Sequence, residues 1–168
     1  MATTIKLNHV IHCDAERFWE VFFDREYNDK LYKEYLGFPE FSVLEQKETP
    51  TGIYRKAAGQ PKMNAPGPVA KLLGSNFKYV EEGNFDRASG VWKWKLTPST
   101  LADKIRNEGT VRLEPGGEGK VRRIAELVVE AKVFGVGGML EGTAEKSLRD
   151  GWEKSAVFLN EWLAKHPK

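Results

Sequence analysis

Residues 121–133 read VRRIAELVVEAKV, and residues 139–165 read MLEGTAEKSLRDGWEKSAVFLNEWLAK. In the first stretch Ala125, Leu127, Val129, Ala131 and Val133 recur at every second position. Arg122, Glu126, Glu130 and Lys132 interleave, with Ile124 and Val128 breaking the polar side. Period two marks a strand with one buried face. In the second stretch Leu140, Ala144, Leu148, Trp152, Ser155, Leu159 and Leu163 follow one another at steps of three or four residues, the helical period. About 27 residues at ~1.5 Å each make a rod of roughly 40 Å, long enough to lie across a whole domain. Gly135, Gly137 and Gly138 between the two stretches read as the sharp turn from sheet to helix.

Upstream of this strand the chain reads as a series of hairpins. Phe41 to Lys47 and Ile53 to Ala58 flank a turn containing Pro50 and Gly52. Phe77 to Phe85 and Val91 to Thr97 flank Asp86 to Gly90, and Ile105 to Leu113 and Val121 to Val133 flank Pro115 to Gly119. The chain opens on another alternating run, with Ile5, Leu7, His9 and Ile11 on one face. Asp14 then stands as an N-cap before Phe18, Val21 and Phe22 at helical spacing. A second short helix is expected over Asp29 to Leu36, ended by Gly37 and Pro39. The order is α+β: a curved antiparallel β-sheet wrapped around a long C-terminal helix, with two short helices after the first strand. The long helix is expected to be the sheet's main cover. Gln60 to Asn76 stands apart, because Pro61, Pro66, Gly67, Pro68 and Gly74 break regular structure around the apolar Val69, Leu72 and Leu73.

The length of 168 residues suits one domain, 1–168, and 11% aromatic residues exclude a chain disordered by composition. Lys plus Arg total 26 against 24 for Asp plus Glu, which argues against a dedicated nucleic-acid binder. The one cysteine, Cys13, excludes an intramolecular disulfide and a cysteine-based zinc site. The start of the chain lacks a basic region followed by an apolar one, and no apolar run approaches eighteen residues, so a cytoplasmic protein is expected.

The Asp14-to-Phe22 entry into the first helix, the Gly135–Gly138 turn and the terminal helix with Trp152 and Leu159 together resemble the START-like helix-grip superfamily. That superfamily includes lipid-transfer domains, polyketide aromatase/cyclases and heat-shock activator domains. Pro68 to Gly74, followed by a strand, is similar to one bacterial subfamily of uncharacterised function. The resemblance implies an apolar ligand tunnel between sheet and helix, gated by loops.

Large rings on the inward strand positions and small residues on the facing surface are compatible with such a hollow and equally with a close-packed core. The ligand-lining residues expected are His9, Phe77, Tyr79, Trp92, Trp94, Val111, Leu127, Val129, Leu140, Ala144 and Leu148. Pro68, Val69, Leu72 and Leu73 are the expected gate, with transient contact to a membrane surface during loading. The partner is an apolar or amphipathic small molecule, such as a lipid. No cofactor, metal or nucleic acid is expected, and no catalytic residue is assigned.

His9 and His12, three apart on a strand, face opposite ways and share no metal without a bulge. Gly116 to Lys120 fails as a phosphate loop, because Val121 stands where the motif needs Ser or Thr. Glu141, Glu145 and Lys146 are expected on the wet side of the terminal helix. A second function fits the same cavity: a cyclase or dehydratase drawing on His9, Tyr79, Tyr54 and Arg55. A third is a protein-interaction domain with a packed interior.

Overall fold

The structure is a computed structural model that describes residues 2–62 and 65–167. Met63 and Asn64, inside the expected Gln60–Asn76 interruption, lie outside the described residues. Seven antiparallel strands form one sheet: β1 (Thr3–Ile11), β2 (Glu40–Glu48), β3 (Gly52–Gln60), β4 (Tyr79–Asp86), β5 (Val91–Pro98), β6 (Ile105–Pro115) and β7 (Val121–Ala131). Their order across the sheet is β1-β7-β6-β5-β4-β3-β2. The chain thus runs β2 to β7 as a meander, and the first strand pairs with the last. Among the described residues four α-helices accompany the sheet: α1 (Ala15–Phe22), α2 (Arg25–Asp29), α3 (Gly67–Leu73) and α4 (Gly137–Lys165). This is the expected helix-grip α+β architecture.

Registers place the alternating residues in rows across the concave face. Ile5 lies opposite Leu127, Leu127 opposite Gly109, Gly109 opposite Trp94, Trp94 opposite Gly83 and Gly83 opposite Arg55. The next row carries Thr3, Val129, Asn107 and Leu96. Ile5, Leu127, Val111 and Ala125 are completely buried, so one tight core runs under the β1–β7–β6 half of the sheet. The cover is divided between helices, not left mainly to α4. α4 packs closely on β1 and β7. The rings of α1 lie farther along: Trp19 stands 4.3 Å from Phe85, and Phe22 stands 5.5 Å from Trp92.

Asp14 caps α1 by accepting from the Arg17 amide at 2.8 Å, as its spacing predicts. The second short helix differs from expectation. Asp24 accepts from the Tyr27 amide and starts α2 at Arg25, and Lys30–Tyr35 then continues as a π turn. The Leu36 amide bonds the Leu31 carbonyl, five residues back. β4 starts at Tyr79, so Phe77 precedes the strand; the Lys78 amide is held by Ser99 Oγ at 2.9 Å. β7 ends at Ala131, and Val133 packs beyond it with a second small apolar cluster.

Glu141 is buried, not on the wet side of α4. Its carboxylate accepts from the Ala131 amide at 3.0 Å and from Thr3 Oγ1 at 2.7 Å. The end of β7 needs an acceptor there, and the first turns of α4 supply it. These bonds hold the Glu141 carboxyl below its usual range although burial pushes the other way.

Candidate functional site

A side chain with no exposure touches neither bulk water nor an internal space wide enough for a water. An inner-face side chain that keeps some exposure borders bulk water or such a space. This criterion divides the expected ligand-lining residues. Trp92, Val111, Leu127 and Val129 are 0–1% exposed and belong to the close-packed core. Leu140 is buried in the small cluster with Val69 and Ala131. His9, Tyr79, Ala144 and Leu148 are half-buried, and Trp94 is 7% exposed. Phe77 is half-buried and belongs to neither apolar cluster.

Other half-buried residues join them: Tyr32 and Leu36 from the end of the short helices, Phe38 after them, Glu81 and Leu96 from the sheet, and Trp152 from α4. Tyr32 stacks on Phe41 with centroids 4.1 Å apart, and Phe38 meets Tyr79 edge-on at 6.4 Å. Tyr79 lies across Gly59, where an added Cβ would meet its hydroxyl at 2.8 Å. Two hollows open on the surface elsewhere. One, about 350 Å³, is bounded by Lys33, Phe41, Gly59 and Lys78; the other, about 400 Å³, lies over Thr4, Lys93, Glu108 and Thr110 on the outer face. Neither is lined by a residue of α4.

Two buried arginines interrupt the apolar inner face. Arg55, on β3, is 5% exposed. Its guanidinium carbon lies 4.8 Å from the Phe22 ring, 5.0 Å from Trp92 and 5.3 Å from Phe23. Its Nη1 donates to the Phe22 carbonyl at 2.9 Å, and its Nη2 stands 3.6 Å from Glu81 Oε1. Burial raises the Glu81 carboxyl above its usual range, with Arg55 opposing that shift. Burial also pushes the Tyr32 phenol up to about 12, and raises Tyr79 well above its ordinary value. Arg55, Glu81, Tyr32 and Tyr79 therefore form one polar group inside an aromatic surround.

Arg123, on β7, is 4% exposed. Its Nη1 donates to Ser155 Oγ at 3.1 Å. Its Nη2 donates to the Trp152 carbonyl at 2.9 Å and to His9 Nδ1 at 3.2 Å. The Trp152 ring centroid is 4.8 Å from the guanidinium carbon. Burial lowers Arg123 to about 10. His9 is lowered too, first by burial and then by the Arg123 charge, which suits a neutral ring whose Nδ1 accepts. Among the described residues, Arg55 Nε, Arg123 Nε, Trp94 Nε1, Asn107 Oδ1 and Gln46 Oε1 are buried without a hydrogen-bond partner.

The expected gate is ordered as α3. Val69 is completely buried against Ala131 and Leu140, while Leu72 and Leu73 are half-buried beside it and Pro68 is exposed. Phe134, in the turn before α4, is the most exposed large apolar side chain, and Met139 is exposed near it. Tyr54 lies on the outer face and donates to Glu82 at 3.0 Å. Cys13 is half-buried, and its thiol is pushed up to about 11 by burial and Asp14, so it is no ready nucleophile. Among the described residues no helix is long and apolar enough to cross a membrane, and no three His, Cys, Asp or Glu side chains gather as a metal site.

Sequence reasoning missed Arg123, Glu81 and Tyr32. The signal for the first two was strand parity: Arg123 shares the face of Ala125 and Leu127, and Glu81 that of Tyr79 and Phe85. Tyr32 sits in the π turn, where a 3.6-residue period assigns no face.

Comparison with known proteins agrees with the fold. TTHA0849 from Thermus thermophilus superposes with TM-score 0.70 at 18% identity, over 99% of this chain and 100% of that one. The Zhui aromatase/cyclase from a Streptomyces species gives 0.62 at 14%, over 98% and 93%. A START superfamily protein from Mycobacterium smegmatis gives 0.58 at 15%, over 96% and 97%. At these identities the likeness is one of fold, and the fold is START-like. No curated protein matches. The chain belongs to the family described as Protein of unknown function (DUF2505), whose model matches residues 6–163.

Proposed function

We propose that this DUF2505 member is a single ligand-binding domain that holds an amphipathic small molecule between the concave face of the sheet and α4. The observation that carries this reading is the uneven burial of the inner face. Side chains under β1, β7 and β6 close on one another, whereas Tyr32, Leu36, Tyr79, Glu81, Leu96, Leu148 and Trp152 retain accessible surface. A surround of aromatic and aliphatic side chains with a few polar groups has the character of a small-molecule site. Desolvation of an apolar body would supply most of the affinity, at ~25 cal/mol per Å² buried.

α3 serves as the gate in this reading. Opening it means withdrawing Val69 from Ala131 and Leu140. Phe134 and Met139, near the start of α4, would then be the residues to touch a membrane during loading. The test is native mass spectrometry of the purified protein together with titration by Nile red, a neutral apolar fluorophore. A co-purifying amphiphile and saturation near one dye per chain are expected. Failure of both would remove the reading.

A second reading is favoured by one observation. Arg55 and Tyr79, both expected for a cyclase or dehydratase, stand with Glu81 and Tyr32 in one partly buried group. Burial raises the Glu81 carboxyl beside these phenols, and a carboxyl raised in this way is the kind of group general acid–base chemistry uses. Turnover of a polyketone substrate, lost in Glu81→Gln with binding retained, would select this reading over simple binding.

A further inference from the structure

Buried charges are ordinarily paired with an opposite charge. Arg55 meets that expectation through Glu81. Arg123 does not. Its bonds go to a hydroxyl, a backbone carbonyl and a neutral imidazole, and its Nε has no partner. Among the described residues no carboxylate lies within ion-pairing distance of its guanidinium. Neutral acceptors satisfy N–H groups but leave the charge uncompensated. A neutral side chain could equally tie Ser155 and the Trp152 carbonyl to the sheet, so stapling α4 does not account for a cation.

The surroundings point the same way. The Arg123 charge acts on the phenols of Tyr27 and Tyr32. Tyr27 is 4% exposed and Tyr32 is half-buried. The buried Nε–H of Arg123 is a donor left over on a positive charge that no carboxylate neutralises. An oxyanion answers both needs, since it accepts several hydrogen bonds and neutralises the cation.

We infer that the ligand of this interior carries a carboxylate, and that Arg123 receives it. The inference rests on the binding reading above and narrows it from an amphiphile to an anionic one. His9 then acts as a positioning residue that holds the guanidinium from the β1 side, through its accepting Nδ1.

The test is displacement of Nile red by two probes of equal chain length, dodecanoate and 1-dodecanol, at pH 8. In the wild-type protein dodecanoate should displace the dye at a concentration at least tenfold lower than the alcohol. Arg123→Gln, with folding checked by circular dichroism, should reduce that preference below threefold, while Arg123→Lys should retain part of it. If Arg123→Gln does not fold, the wild-type comparison decides alone. Equal displacement by the two probes, displacement by neither, or a preference unchanged in Arg123→Gln overturns the inference and leaves the hydrophobic site standing. Failure of Nile red itself to bind removes the binding reading and the inference together.

Discussion

Replacing Arg55 with Met keeps an unbranched apolar side chain among Phe22, Phe23 and Trp92 but removes the cation that faces Glu81. Breaking a buried pair by deleting one partner costs about 3–5 kcal/mol, because the remaining charge is stranded. Glu81 keeps 20% of its side chain exposed and can neutralise itself by taking a proton. The lower end, about 3 kcal/mol, is therefore expected at pH 7. For a chain of this size that is roughly 6–12 °C in Tm. The double variant Arg55→Met/Glu81→Leu leaves no charge behind and should lie within about 1 kcal/mol of the wild type. Urea unfolding followed by tryptophan fluorescence measures all the variants, and the cycle isolates the coupling between the two sites. A single variant within about 0.5 kcal/mol of wild type, or a double variant no more stable than Arg55→Met, would refute the reasoning. A double variant that is stable but impaired in ligand binding would identify the pair as retained for function.

Two further outcomes follow from the geometry. Gly83→Ala would set a Cβ 2.3 Å from the Trp92 ring and 2.8 Å from the Lys93 carbonyl. Trp92 is 1% exposed and held by Phe22, Phe23 and Arg55, so it cannot yield freely, and a loss of about 1–3 kcal/mol or more is expected. Gly142→Ala meets nothing within 4 Å on α4 and should stabilise by roughly 0.5–1 kcal/mol; equal Tm values for the two variants would contradict this account. The second outcome concerns pH. Burial and Arg123 depress the His9 pKa, so the unfolded chain binds a proton there more readily than the folded one. The contribution of His9 to stability is complete above its ordinary value of 6.5 and is lost as pH falls from there through the folded pKa. Unfolding midpoints measured from pH 8 to pH 5 should fall more steeply in the wild type than in His9→Gln, and parallel profiles would exclude the effect.

The last strand and the terminal helix were readable because each follows one period. β7 alternates over Ala125 to Ala131 since one of its faces is dry, and α4 carries an apolar stripe since one side lies on β1 and β7. The π turn was not readable: adding a residue per turn moves Tyr32 away from where a 3.6-residue count would place it. Glu141 misled for a different reason. Neighbouring charges on a helix usually face water, but this one completes the hydrogen bonding at the end of a strand ten residues earlier, a demand that helix periodicity does not encode.

Arg123 and Glu81 show where the reading of the site fell short. Their strand parity already put them inside, and only their residue type argued against it. An apolar pattern read as a filter discards such positions, whereas read as geometry it points to them. Placing a cation on the dry face of β7 is costly and contributes little that a neutral residue would not. A charge kept there against that cost is better explained by a guest that neutralises it than by the packing of α4. On that proposal the residues that break the alternation are the ones that would define what the interior can hold, while Trp92, Val111, Leu127 and Val129, which obey it, belong to the close-packed core.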